Sequence, residues 1–164
     1  MRDLALDLEH NDLHDDGTEA LAELSLPALE HLDLNLNSIN DVGVEALAES
    51  PILEHVRWLD LSFNHWGDRG IEALARSPYL REIEELKLAS NDVTGDGFGI
   101  FARAPFLEGL QMIDLAFSKN IPITQWITLF SREGLSELRH LELDECELQD
   151  EGAAHLLRTL SATR

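Results

Sequence analysis

Apolar residues recur along this chain in blocks of one form: apolar-x-x-apolar-x-apolar-x-x-polar-x-apolar. The clearest are Leu29, Leu32, Leu34, Asn37, Ile39, then Val56, Leu59, Leu61, Asn64, Trp66, then Ile83, Leu86, Leu88, Asn91, Val93. The last block is Leu138, Leu141, Leu143, Cys146, Leu148, and the first keeps only Leu6, Leu8, Asn11, Leu13. Asn11, Asn37, Asn64 and Asn91 stand 26, 27 and 27 residues apart, and the same step leads to Ser118 and, one residue late, to Cys146. Alternation such as Leu32 and Leu34 predicts a short strand with those side chains facing inward. Six residues past the Asn or Cys comes a glycine: Gly17, Gly43, Gly70, Gly97 and Gly152. Apolar residues at three and four spacing then follow, as in Val44, Leu47 and Ala48, which predicts a helix of about two to three turns. Pro27, Pro51, Pro78 and Pro105 precede the next strand, where a helix must already have stopped. One such unit of strand, turn, helix and loop cannot bury its apolar face alone, whereas six stacked units share one core.

The asparagine has a physical task in this pattern. Where the chain leaves the strand and bends, backbone groups lose their partners, and an inward amide can both donate and accept. Stacked turns then form an asparagine ladder. Ser118 and Cys146 satisfy fewer groups, so the last two turns are expected to be looser.

The pattern L-x-x-L-x-L-x-x-N/C-x-L with a unit of 26 to 28 residues resembles the leucine-rich repeat family, in its long, helix-bearing ribonuclease-inhibitor-like type. Leu59 to Pro78, LDLSFNHWGDRGIEALARSP, carries nearly every element of it. The stretch LELDECELQDEGAAHLL, with Cys146, resembles the cysteine-containing variant of some ubiquitin-ligase adaptors. The resemblance implies an α/β fold: a right-handed solenoid of about six repeats, with a curved parallel sheet on the concave side and helices on the convex side. It implies a binding scaffold and leaves the partner open, since folds of this kind serve many partners.

Residues 1–164 are expected to form a single leucine-rich-repeat domain, its first repeat truncated at the start and its fifth, at about 110–137, irregular. In the fifth unit Leu110, Ile113 and Leu115 fit, but Ser118-Lys119-Asn120-Ile121-Pro122 follows with no glycine at the usual place. Pro122, Trp126 and Phe130 suggest a re-routed helix that bulges from the array. At the start, Leu4, Leu6 and Leu8 would leave an unsealed sheet edge, either guarded by Asp3, Asp7 and Glu9 or continued in a longer array.

Charge narrows the choice of partner. Among 164 residues there are 32 acidic and 12 basic ones, for a net charge of -20. Nucleic acid and an anionic membrane surface would both be repelled, so neither is expected as a partner. Residues 1–50 hold 13 acids and one base, Arg2, so this N-terminal part should steer basic partners most strongly. No apolar run is long enough to span a bilayer. The single cysteine permits no internal disulfide, which favours a reducing, cytoplasmic setting.

Catalytic motifs are not found: neither a phosphate loop nor a nucleophile elbow is present. Gly95-Asp96-Gly97-Phe98-Gly99 is glycine-rich, but Gly97 is already the repeat glycine. His10 and His14 have a helical metal spacing, yet they straddle a strand exit and are not expected to share a face. No catalytic residue, metal ligand or cofactor is therefore assigned.

The residues alternating with the buried leucines should instead carry function on the concave face. One column is Asp7, Asp33, Asp60, Lys87, Asp114, Glu142, a row of like charges broken once; it is either a solvated face or a stripe for a basic ligand or cation. The flanking column is Ala5, His31, Trp58, Glu85, Met112, His140. Exposed Trp and Met are hot-spot residues at interfaces. Phe63 and Phe117, at the last strand position of their units, either extend this patch or tuck against neighbouring turns. Trp66 and Trp126 are expected in the core. The resulting expectation is a non-enzymatic scaffold that binds a protein with a basic surface through His31, Asp33, Trp58, Asp60, Phe63, Met112, Asp114 and Phe117. The alternatives are a regulatory or adaptor segment of a larger complex, of ubiquitin-ligase-adaptor or GTPase-activator type, and cation binding along the aspartates.

Overall fold

In the computed structural model of the chain, residues 3–131, 135 and 137–162 are described. Residues 132–134 and 136, within the irregular fifth unit, lie outside the described residues, as do 1–2 and 163–164. Among the described residues strands alternate with α-helices: β1 (Leu4–Asp7), α1 (His14–Ala22), β2 (Leu29–Asp33), α2 (Asp41–Ala48), β3 (Trp58–Asp60), α3 (Asp68–Arg76), β4 (Glu85–Lys87), α4 (Gly95–Phe101), β5 (Met112–Asp114), α5 (Ile123–Phe130), β6 (His140–Glu142) and α6 (Gln149–Ala162), with short 3-10 helices at Pro51–Leu53 and Pro105–Gly109. The strands form one six-stranded sheet in the order of the sequence. Every pairing is parallel, and each strand pairs with the equivalent position of the next unit, apart from a register shift between Leu4 and Ala5 in β1. The result is an α/β solenoid with strands lining one face and helices the other, so only one face of the sheet is open.

Leu32, Leu59, Leu86 and Ile113 stand in register in the sheet and point into the core, each at most 2% exposed. Leu47, Leu74 and Phe101 meet them from the helices. Trp66 and Trp126 are both buried as expected.

The asparagine ladder is present. Asn64 Oδ1 accepts from the amides of Asn37 and Ile39, both at 3.0 Å, while its Nδ2 donates to the carbonyls of Leu34, Leu61 and Ser62. Asn37 does the same for the turn before it, accepting from Asn11 and Leu13. In the last unit the Cys146 thiol donates to Leu115 O at 3.0 Å. Burial pushes this thiol up from its ordinary range.

A second inter-repeat device lies on the helical side. Asp41 at the start of α2 accepts from the amides of Gly67 and Gly70, at 2.7 and 2.8 Å, and so caps the start of α3. Asp15 serves the amides of Asn40 and Gly43, and Asp68 serves that of Thr94. Part of the acidic excess is therefore structural rather than solubilising. It also accounts for the repeat glycine: a Cβ on Gly97 would lie 2.7 Å from Asp68 Cα, so only a bare backbone fits between these helices.

The described part of the fifth unit includes its helix. Its helix α5 packs between α4 and α6, with Trp126 and Phe130 each 1% exposed. Trp126 packs against Phe98 at 4.7 Å and Phe130 at 5.9 Å between ring centroids. Room for α5 comes from α4: Cβ atoms on Gly95 and Gly99 would collide with Pro122 and Gln125. Packing alone thus explains the glycine-rich stretch. At the other end, β1 forms an edge of the sheet, with Leu4 38% exposed and Leu6 and Leu8 half-buried.

Candidate functional site on the open sheet face

Strict parallel register turns sequence columns into rows across the open face. His31, Trp58, Glu85, Met112 and His140 stand side by side, as do Asp33, Asp60, Lys87, Asp114 and Glu142. Neighbouring positions are about 4.8 Å apart. Both columns anticipated from the alternation are therefore real neighbours.

Trp58 is the centre of this face. Its ring is half-buried rather than fully exposed. His31 from β2 stacks on it, with centroids 3.8 Å apart and planes 7° from parallel. From β4, on the other side of β3, Lys87 places its ammonium over the ring, 4.9 Å from the centroid. The same ammonium lies 3.8 Å from Asp60 Oδ2. Trp58 is thereby held upright by its neighbours.

The aspartates do more than line the face. Oδ1 of Asp33 accepts from the amide of Asn35, Asp60 from Ser62 and Asp114 from Ala116, at 2.8 to 3.0 Å. Each thus closes the turn two residues on, an Asx arrangement. That local bond supplies a structural reason for an aspartate at this position. Asp60 is 6% exposed, so the column is not uniformly solvated. Burial and then the neighbouring carboxylates Asp60, Asp7 and Glu9 push Asp33 above its ordinary range, against the bond from Asn35. Asp114 is raised by burial and by Glu142 and Asp60, against the bond from Ala116 and the charge of Lys87. Among the described residues, no group of three or more His, Cys, Asp or Glu is arranged to hold a metal ion. The cation-binding alternative thus gains no support from the geometry.

Phe63 and Phe117 do not sit in the strands. They occupy the turns that follow, with φ of 54° and 62°. The same left-handed turn position holds His10, Leu36, Ser90 and Glu145 in the other units. Each phenylalanine is 44% exposed, and the rings approach to 6.3 Å between centroids across the smaller Ser90. At that exposure they are not tucked into the turns. They form a separate aromatic pair at the rim where the strands exit, above a shallow groove lined by His65, Asp92 and Lys119. Leu36, 42% exposed, continues this rim and was not among the expected residues. A signal for it exists: Leu36, Phe63, Ser90 and Phe117 are spaced by 27 residues each, directly before the ladder position.

At the opposite end of the strands a second row of acidic residues is partly neutralised by one arginine. Arg57 lies between Glu30, at 3.9 Å, and Glu84, at 2.8 Å, and Gln111 donates to Glu84. Asp33 and Asp114 have no such partner for their Oδ2 atoms among the described residues.

Comparison with known proteins agrees with this architecture. A sequence profile of the family described as "Leucine Rich repeat" matches residues 4–22, 26–48, 53–75 and 135–157, more than half of the chain. No curated protein sequence matches it. Among solved structures, the C-terminal domain of tropomodulin from Caenorhabditis elegans is similar, with a TM-score of 0.62 and 12% identity over 91% of this chain and 92% of that one. At that identity the likeness is one of fold. Among the described residues, no helix is long and apolar enough to cross a membrane.

Proposed function

This chain belongs to the leucine-rich repeat family, and we propose that it is a non-enzymatic scaffold that binds a basic protein through the open face of its sheet. Domains of this fold generally serve as protein-interaction scaffolds. The observation that carries the reading is Trp58, held upright at the centre of the open face by His31 and Lys87. A Trp in that setting offers a large, pre-ordered apolar surface, which is what an interface anchor requires. Met112 beyond it and the Phe63–Phe117 pair at the rim widen the apolar contact. Asp33, Asp60 and Asp114 supply the complementary charge for a basic partner. With its single cysteine, the protein fits a reducing compartment, and we place it in the cytoplasm.

The test is affinity capture from lysate of the native host by the immobilised protein, run beside a Trp58→Ala, Phe63→Ala variant that melts normally. A protein retained by the wild type and lost by the variant supports the sheet face as the site. Equal retention by both overturns it.

A further inference from the structure

We propose that Lys87 is an internal stand-in for an arginine of the partner, which displaces it from Trp58 and Asp60 when a basic segment docks. The proposal rests on the sheet-face reading above and adds the residue that gates it.

Lys87 departs from its column. The other five positions are acidic, and Asp33, Asp60 and Asp114 use one carboxylate oxygen to close the following turn. Lysine cannot accept that bond, and in this unit the amide of Ala89 turns instead to Ser62 Oγ, at 3.2 Å. The turn is thus satisfied without help from residue 87. What the lysine does is seat a cation. Its ammonium rests over the Trp58 ring and 3.8 Å from Asp60 Oδ2, longer than a hydrogen bond, with the side chain 31% exposed. The seat is therefore built for a positive charge but loosely filled by this one.

An arginine fits the same seat better. Its planar guanidinium stacks on an aromatic face and presents a fork of donors to carboxylates, whereas an ammonium acts as a point charge. Asp60 on β3 and Asp114 on β5 stand in register on either side of position 87, so a group seated there beside Trp58 lies between these two carboxylates. Burial and the carboxylates of Glu142 and Asp60 already disfavour the ionised form of Asp114, and a positive charge at this place, as Lys87 now supplies, works against them. The formal charge of -20 favours the approach of a basic segment. A lysine already in the seat must be displaced first, so it lowers affinity and raises selectivity for a group that stacks and forks.

The consequence has an unusual sign: removing a residue from the binding face should tighten binding. The probe is a fluorescein-labelled decapeptide of alternating arginine and leucine, titrated by anisotropy against wild type, Lys87→Met, Trp58→Ala, the double variant and Arg69→Met. Lys87→Met keeps an apolar stem on Trp58 and removes the charge. Arg69, on α3 with a side chain 69% exposed, makes the same change in net charge on the helical side. The expected result is Kd lowered about threefold or more by Lys87→Met, because a loosely held ion pair and a cation–π contact no longer compete. Arg69→Met leaves Kd nearly unchanged, and Lys87→Met gives no gain when Trp58 is already alanine. If Trp58→Ala weakens binding but Lys87→Met acts like Arg69→Met or weakens it, Lys87 is only a structural neutraliser and the proposal fails alone. If Trp58→Ala leaves the probe's Kd unchanged, the sheet-face reading falls with it. Absence of binding in wild type and Lys87→Met alike rejects the arginine seat, while the capture experiment still decides the sheet face.

Discussion

Replacing Asn64 with alanine removes the best-connected rung of the ladder. The side chain is 4% exposed and serves two backbone amides, those of Asn37 and Ile39. It also donates to three carbonyls, but Leu61 O keeps bonds from Asn91 Nδ2 and Trp66 Nε1. The two amides decide the magnitude. Each buried donor left unpaired costs about 1–3 kcal/mol, so the loss should be about 2–4 kcal/mol after partial relaxation. Asn91 accepts from a single amide, that of Asn64, and is only half-buried. Asn91→Ala should therefore cost about 1–2 kcal/mol by the same reasoning. The assay is guanidinium unfolding followed by circular dichroism, with both variants compared at equal m-value. For a chain of this size, 2–4 kcal/mol corresponds to a fall in Tm of roughly 5–12 °C. A ranking in which Asn91→Ala equals or exceeds Asn64→Ala, or a loss below about 0.5 kcal/mol for both, would refute the claim that amide satisfaction holds the turns.

Three further outcomes follow from the same contacts. Asp33→Asn keeps the acceptor for Asn35 and removes the repulsion from Asp7 and Asp60, so it should raise stability at neutral pH by about 0.2–1 kcal/mol, whereas Asp33→Ala should lower it. Because the folded protein holds the Asp33 and Asp114 protons more tightly than an ordinary carboxyl at 3.8, their contribution favours folding below that value and is lost as pH rises through the folded values; the gain from Asp33→Asn should vanish in acid, and a pH-independent gain would contradict this cause. Gly97→Ala should destabilise by about 1–3 kcal/mol through collision with Asp68, while Gly109→Ala, with open space around it, should change little; equal thermal melts for the two would show that the helices can part at no cost. Cys146, buried and pushed up, should react with iodoacetamide about tenfold or more slowly in the native state than in urea, and comparable rates would show that the last turn is open.

Much of this protein was legible in one dimension because its energetics repeat along the chain. A strand whose inward positions are Leu59 and Leu61 must present Trp58 and Asp60 on the other face, since side chains alternate. A repeat of 27 residues then puts His31, Trp58, Glu85 and Met112 in line, provided the strands pair in parallel register, as they do. Asn64 was legible for the same reason: a buried bend needs a group that both donates and accepts. What the sequence could not decide was contact between units at positions free to choose among several neighbours. Phe63 and Phe117 lean together over Ser90 because the residue between them is small, which depends on three units at once. Lys87 reaches back to Trp58 and Asp60 rather than toward Asp114, a choice made by ring position and burial. Asp15, Asp41 and Asp68 look like surface charge in the sequence, yet the stacked helices bring each onto the start of the next. The fifth helix approaches α4 closely because the glycines of α4 leave space that Pro122 and Gln125 take up. Periodicity determines which face a side chain points to; only the packed array determines which neighbour it meets there, because that depends on the sizes of residues whole repeats away.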